Sequence, residues 1–210
     1  MPHKSPFTQE IFDVWDQLVL NNATRLTLSE RVTGWEKLHA MCWLDGQWIV
    51  GFMDAGLSAV LGISLAMQEQ RWKDAYHLSQ EFLTHPEISK YPRESAICEA
   101  YKFQIGAQLM LGETDEAVTT GLRVLNISDP RSLYRLGMLH TLGAVCHEPT
   151  FPAVLDKRIA SFAQHVFNAF PGCKTLGKQV ANAKTTIELR ELVDKVCEHN
   201  YKRIRGKYQN

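Results

Sequence analysis

The densest group of side chains that could do chemistry lies at His140, Cys146, His147 and Glu148. Cysteine, histidine and glutamate are zinc ligands, and a cysteine near a histidine can act as a nucleophile. The adjacent residues Cys146 and His147 cannot both face one side of a helix, and no second close pair completes a set of four ligands. We therefore expect no metal site, no cofactor and no catalysis here.

Other sequence signals also argue against an enzyme. The chain contains no Walker, dinucleotide-binding, HExxH or G-x-S-x-G motif. Its 5 cysteines are widely spread and form no C-x-x-C pair, which is typical of reduced thiols rather than of a disulfide framework. Because the first residues also lack the apolar run of a secretory signal, we expect a cytoplasmic, non-enzymatic protein.

Asp54 is the one acidic residue in the most apolar stretch, residues 48–67. Twenty such residues could cross a bilayer, but the aspartate and three glycines favour a helix buried among other helices. A buried carboxylate needs a partner, so Asp54 either makes an ordinary ion pair or faces a ligand groove. A membrane-associated protein and a small-molecule enzyme are the less favoured alternatives from this stretch.

Charge is distributed unevenly along a chain whose net charge is zero. Residues 1–100 hold 8 Lys and Arg against 13 Asp and Glu, whereas residues 174–210 hold 9 against 4. The basic end could be a solvated helix end, or a surface for an acidic partner, another copy of the chain, or nucleic acid. We expect its basic surface at Lys202, Arg203, Arg205 and Lys207.

The elements that would position these residues are helices, because apolar residues recur at helical spacing along most of the chain. We expect an all-α fold in a single domain of 210 residues. A loose start at 1–6 precedes helical hairpins over 7–173, and a capping helix with a basic tail follows over 174–210. The individual helices are expected at about 6–20, 27–42, 48–67, 73–84, 92–111, 114–128, 130–146, 151–170 and 185–204.

Residues 101–130 form the clearest helical hairpin. Gly112 ends its first helix, and Thr114 begins the second with acidic residues next to it, at the positive end of the helix dipole. Asp129 and Pro130 then match the N-cap and first position of a further helix. The connection is so short that the two helices must be antiparallel.

This hairpin resembles a degenerate tetratricopeptide (TPR) unit, with Tyr101, Gly112, Ala117 and Pro130 in the positions of the family pattern. It departs from the pattern at Gln104-Ile105 and at Gly121. Three alanines on successive hairpins, spaced by 42 and 43 residues, are each followed seven residues later by an apolar side chain: Ala75, Ala117 and Ala160. An irregular helical bundle without true repeats is the alternative.

The resemblance implies stacked antiparallel hairpins, a TPR-like α-solenoid whose first helices line a concave groove. On that mapping the groove carries Glu99, Lys102, Gly106 and Leu109, with Asp54 as a further candidate. The implied function is a non-enzymatic adaptor, scaffold or chaperone that binds a protein or peptide, and a homo-oligomer is a further candidate assembly. A nucleic-acid-associated helical protein that uses the basic end is the alternative.

Overall fold

A computed structural model describes residues 27, 29–30, 32–34, 43–44, 47–48, 55–85, 94–127 and 133–207. The chain forms two compact units, Met1–Ala100 and Tyr101–Asn210. The described part is almost entirely helical, which confirms the predicted all-α class. The helix predicted over 6–20 and the cap predicted at Asp129-Pro130 lie outside the described residues.

The first unit opens with the capping box that the sequence predicts. The N–H of Thr27 donates to Glu30 Oε2 at 2.7 Å, and the N–H of Glu30 donates to Thr27 Oγ1 at 3.3 Å. Each side chain satisfies a backbone donor that a helix start leaves without a helical partner. Helical backbone follows at residues 29–30 and 32–34.

A short antiparallel pair, β1 (Trp43–Leu44) and β2 (Gln47–Trp48), encloses the turn predicted at Asp45-Gly46. Asp-Gly is a strong two-residue hairpin signal, and tryptophan favours strands. The prediction of one helix over 48–67 is therefore wrong at its start, because Trp48 pairs with Trp43 and the helix begins at Ala55. No helix among the described residues has the length and hydrophobicity needed to cross a membrane.

Helices α1 (Ala55–Gln68) and α2 (Trp72–Thr84) form the helical hairpin of the first unit. At the turn the N–H of Arg71 donates to the carbonyl of Ala66 at 2.9 Å, and Gln70 adopts the left-handed conformation with φ of 58°. Arg71 also bridges Glu69 and Asp74, at 2.8 and 3.0 Å. On α2, the alanine of the 42-residue spacing, Ala75, is fully buried.

Helix α3 (Glu94–Met110) runs from the first unit into the second, and α4 (Thr114–Ile127) follows the predicted turn. Gly112 has a φ of +79°, a conformation that costs glycine little because it has no Cβ. The N–H of Glu113 donates to the carbonyl of Gln108 at 2.9 Å, which closes α3.

Helix α5 (Leu133–His147) ends near its predicted position, but the next helix, α6 (Lys157–Asn168), begins six residues later than the predicted start at 151. Asp156 caps α6 by accepting the N–H of Arg158 at 2.7 Å. Residues before it are extended, and Val154 pairs with Thr185 in an isolated antiparallel bridge. The expected helical start at Phe151 was therefore wrong, because this segment makes strand-like contacts with a distant part of the chain.

Helix α7 (Lys174–Val180), which the sequence analysis did not predict, precedes α8 (Thr186–Lys207). Thr185 and Glu188 form a second capping box, in which Glu188 Oε2 accepts the N–H groups of Lys184 at 2.6 Å and Thr185 at 3.2 Å. The apolar stripe predicted on this helix is buried, with exposed fractions of 8% or less: Leu189, Leu192, Val193 and Val196.

The core of the second unit lies between two sets of helices. α4 packs on α6, and α8 packs on α5, while α5 also contacts α4 and α6. The closest approach involves Gly121 of α4, where an added Cβ would lie 2.4 Å from Cζ of the buried Phe162 on α6. At the same interface Arg158 Nη1 is 2.7 Å from Asp115 Oδ1, so an ion pair joins the starts of α4 and α6.

Candidate partner-binding face

The cluster around Cys146 is not an activated nucleophile. The Cys146 side chain is buried, and burial raises the pKa of its thiol to about 12, with Arg190 opposing and Asp194 adding to the shift. His147 projects into solvent, where its Nε2 lies 3.9 Å from Asp194 Oδ1. A thiol in this environment stays protonated at neutral pH and is chemically inert. Among the described residues, no group of three His, Cys, Asp or Glu side chains could hold a metal ion.

Helix α5 has neighbours on three sides. The Thr141 hydroxyl donates to the carbonyl of Lys102 at 3.1 Å, which ties α5 to α3. Gly143 faces α8, where an added Cβ would lie 3.4 Å from Val193 Cγ1. Leu142 is 1% exposed and belongs to the core that α5 shares with α4 and α6.

The fourth side of α5 is open to solvent. Leu136 is 40% exposed, and His140, Ala144 and His147 are exposed as well. Their spacing of four, four and three residues places them in one stripe along three turns of the helix. We name this stripe the α5 face. Since α3 and α8 lie on either side of it, the α5 face forms the floor of a surface between two flanking helices.

The α3 edge of this surface contains only part of the predicted groove. Lys102 is half-buried, and its Nζ lies 4.7 Å from the centre of the Phe103 ring. Gly106 is buried, and Leu109 is 3% exposed and belongs to the hydrophobic core. Leu109 therefore presents almost no surface to a partner. Glu99 lies on the same helix in the first unit and is half-buried.

The α8 edge carries charged side chains that the sequence analysis assigned to a solvated face. Arg190 is half-buried, Asp194 is exposed, and Asp194 approaches His147 of the α5 face. The sequence contains a signal for this surface, because Leu136, His140 and Ala144 repeat every four residues beside the apolar stripe of α5. That signal was missed because His140 and Leu136 were counted with the apolar side of the helix.

Two further sets of predicted site residues have no described side chains. Asp54 lies outside the described residues. The four basic residues Lys202, Arg203, Arg205 and Lys207 belong to the last turns of α8, where the backbone is described but the side chains are not. Their predicted roles remain predictions.

A shallow cleft of about 220 Å³ lies between the end of α7 and the start of α8. Glu188, Glu191 and Lys195 line it together with amide side chains. Hydrogen bonds from the N–H groups of Lys184 and Thr185 lower the pKa of Glu188 and hold its carboxylate in the capping box. Glu188 thus caps α8, and its role in the cleft is structural.

The comparisons with known proteins identify no relative. No family model matches the chain, and neither the curated proteins nor the solved structures contain a significant match.

Proposed function

We propose that this chain is a non-enzymatic interaction protein that binds a protein or peptide partner on the surface formed by α3, the α5 face and α8. The observation that carries the proposal is that α5 is enclosed on three sides and open along a stripe of three turns. Leu136 and Ala144 supply apolar contact area, and Lys102, His147 and Asp194 supply polar groups around it. A surface with an apolar centre and a polar rim is typical of protein interfaces.

The order of helix neighbours supports a TPR-like stack as the scaffold. α5 contacts α3 through Thr141 and packs on α8, while α4 packs on α6. In a stack of antiparallel hairpins, first helices lie next to first helices and second helices next to second helices. We therefore infer that α3, α5 and α8 form one layer and that α4 and α6 form the other.

The spacing of equivalent residues supports the same scaffold. Helices α2, α4 and α6 begin at Trp72, Thr114 and Lys157, which are 42 and 43 residues apart. The three alanines of that spacing are buried on these helices, with exposed fractions of 0%, 0% and 4%. The apolar residues seven positions later are buried too: Phe82, Val124 and Phe167. A recurring unit of helix, turn and helix explains both sets.

Photo-crosslinking from a single position tests the proposal. A photoreactive amino acid at Ala144 would sit in the middle of the α5 face, and the same group at Thr119, exposed on α4, is the matched control. We expect the Ala144 probe to capture a protein that the Thr119 probe does not. The captured protein should then bind the purified chain, and Leu136→Ser or Lys102→Ala should weaken that binding about tenfold without changing stability by more than about 0.5 kcal/mol.

The same experiment separates this proposal from the nucleic-acid alternative. A partner bound through the α5 face should lose little affinity as salt rises, whereas binding through phosphate contacts of the basic end falls steeply with salt. Capture of nucleic acid with a steep salt dependence, or equal capture by both probes, would contradict the interaction face and leave the scaffold without an assigned function.

A further inference from the structure

The extended segment from Pro152 to Asp156 forms a short strand edge on the surface of the second unit. Val154 is 79% exposed, whereas its neighbour Leu155 is 6% exposed. This alternation is that of a strand with one buried side. Asp156, with φ of −65° and ψ of 134°, continues the extended conformation up to the first residue of α6.

One side of this segment is paired within the chain. The N–H of Leu155 donates to the carbonyl of Lys184 at 2.9 Å, and the N–H of Thr186 donates to the carbonyl of Ala153 at 3.0 Å. These two hydrogen bonds enclose the pair formed by Val154 and Thr185, which makes it a pair without direct hydrogen bonds of its own. The N–H and carbonyl of Val154 therefore point away from Thr185.

The outward side of the segment carries groups that a further strand would need. Because successive residues of a strand turn their backbone groups to alternate sides, Val154 and Asp156 face the same direction. Within the part of the chain that the structure describes, the Val154 backbone makes no hydrogen bond. The carbonyl of Asp156 already accepts the N–H of Ala160 at 3.0 Å, so only its N–H remains for pairing.

We propose that this edge pairs with the same edge of a second copy, antiparallel, about a two-fold axis at Val154. The two Val154 residues would exchange both of their backbone hydrogen bonds. In the same register Asp156 faces Pro152, whose carbonyl can accept the Asp156 N–H. Proline has no N–H, and the Asp156 carbonyl is already engaged by Ala160, so each missing group on one copy meets an unneeded group on the other. The edge is thus complementary to itself, as a two-fold interface requires.

Side chains near the edge favour the same occupant. Ile187, which follows the paired residues Thr185 and Thr186, is 57% exposed, and Val154 is the most exposed large apolar residue of the described chain. Two copies would bring the two Val154 side chains together and remove them from water. The contact is small, because pairing stops at Pro152 on one side and at α6 on the other. We therefore expect a weak dimer, with a dissociation constant in the range of about 10 μM to 1 mM.

Sedimentation velocity over a range of concentrations tests the dimer. Val154→Pro removes the outward N–H from each copy but leaves the inward hydrogen bonds made by Ala153 and Leu155. It should weaken association about tenfold or more. Val154→Thr keeps the backbone donor and the β-branched shape, and it should weaken association less than Val154→Pro does. Circular dichroism checks that each variant remains folded.

Disulfide trapping tests the register. In the proposed pair the two residues at position 154 have Cα atoms about 5.5 Å apart, within the range of a disulfide. In a chain with Cys42→Ser and Cys197→Ser, Val154→Cys should form a dimer under mild oxidation, and Ile187→Cys should form much less. A chain that stays monomeric at millimolar concentration, or a dimer unaffected by Val154→Pro and not trapped by Val154→Cys, would overturn the proposal.

Discussion

The hairpins α1–α2 and α3–α4 turn in the same way with different residues. In each, an N–H donates to the carbonyl five residues earlier at 2.9 Å, from Arg71 to Ala66 and from Glu113 to Gln108. The residue before that donor is left-handed in both, at Gln70 with φ of 58° and at Gly112 with φ of 79°. The two positions are 42 residues apart, yet only the second contains the glycine that such a turn favours.

The same hairpins differ in what their second helices contact. Ala75 and Ala117 are both fully buried, but four residues later α2 has Ser79 and α4 has Gly121. The buried Ser79 hydroxyl donates to the carbonyl of Ala75 at 2.6 Å within its own helix. Gly121 instead leaves room for the Phe162 ring. Equivalent positions therefore share a turn and a small residue, whereas the next contact is specific to each hairpin.

The largest effect that we predict comes from filling the space at Gly121. Gly121→Val would place its Cβ within van der Waals distance of Phe162, a fully buried ring that has little room to move. We expect the free energy of unfolding to fall by about 2–3 kcal/mol, measured by urea denaturation. At the equivalent position of the first hairpin, Ser79→Ala should cost less than about 1 kcal/mol, because it removes only a hydroxyl bonded to its own helix.

A second substitution distinguishes crowding from the lower flexibility of valine. Phe162→Leu shortens the side chain that faces Gly121, so the double variant should lose less stability than the sum of the two single variants. Additive losses would show that the close approach of α4 and α6 is not the cause.

The two left-handed turns should respond to exchange in opposite directions. Gly112→Ala meets no atom within 4 Å, so its cost comes from the backbone alone, and we expect a loss of about 1–2 kcal/mol. Gln70→Gly relieves the same conformation but adds freedom to the unfolded chain, and we expect a gain below about 1 kcal/mol. Thermal and urea denaturation of both variants measure these changes. A loss of stability from Gln70→Gly would mean that contacts of the glutamine side chain, rather than the turn, hold Gln70 in place.

The sequence predicts the second turn well and the first turn less well for a physical reason. Gly112 has the residue type that a left-handed position favours, so the end of α3 can be read directly. Gln70 adopts the same conformation because the helices around it fix the turn, and nothing in its residue type indicates that. Helix ends that depend on local chemistry are visible in sequence, while those that depend on packing are not.

The candidate site shows the same division. The burial of Leu109 depends on neighbours that are distant in sequence, so spacing along α3 alone placed it in the groove. The extended segment before Asp156 was assigned to a helix because its apolar residues resemble one, and the hydrogen bonds to Lys184 and Thr186 that keep it extended are about thirty residues away. The face of α5, in contrast, follows from four-residue spacing and could be predicted once its flanking helices were known.

The smallest predicted effect concerns the two capping boxes, one in each unit. Hydrogen bonds from Thr27 lower the pKa of Glu30, and those from Lys184 and Thr185 lower the pKa of Glu188, each from an ordinary value of 4.5. A carboxylate whose pKa is lower in the folded state stabilises the fold above its unfolded pKa, and this contribution is lost as the pH falls through the folded pKa.

We therefore expect Glu188→Gln to lower stability slightly at pH 7, with a difference from the unmodified protein that shrinks below about pH 4.5 as Glu188 becomes protonated. Glu30→Gln should behave in the same way if the first unit unfolds together with the second. Urea denaturation at several pH values between 7 and 3 measures both differences, and Glu191→Gln, beyond the capping box on α8, is the matched control. A pH-independent difference for Glu188→Gln, equal to that of the control, would show that the ionised carboxylate does not stabilise the start of α8. If only the second box responds, the two units unfold separately, because a cap can stabilise only the cooperative unit that contains it.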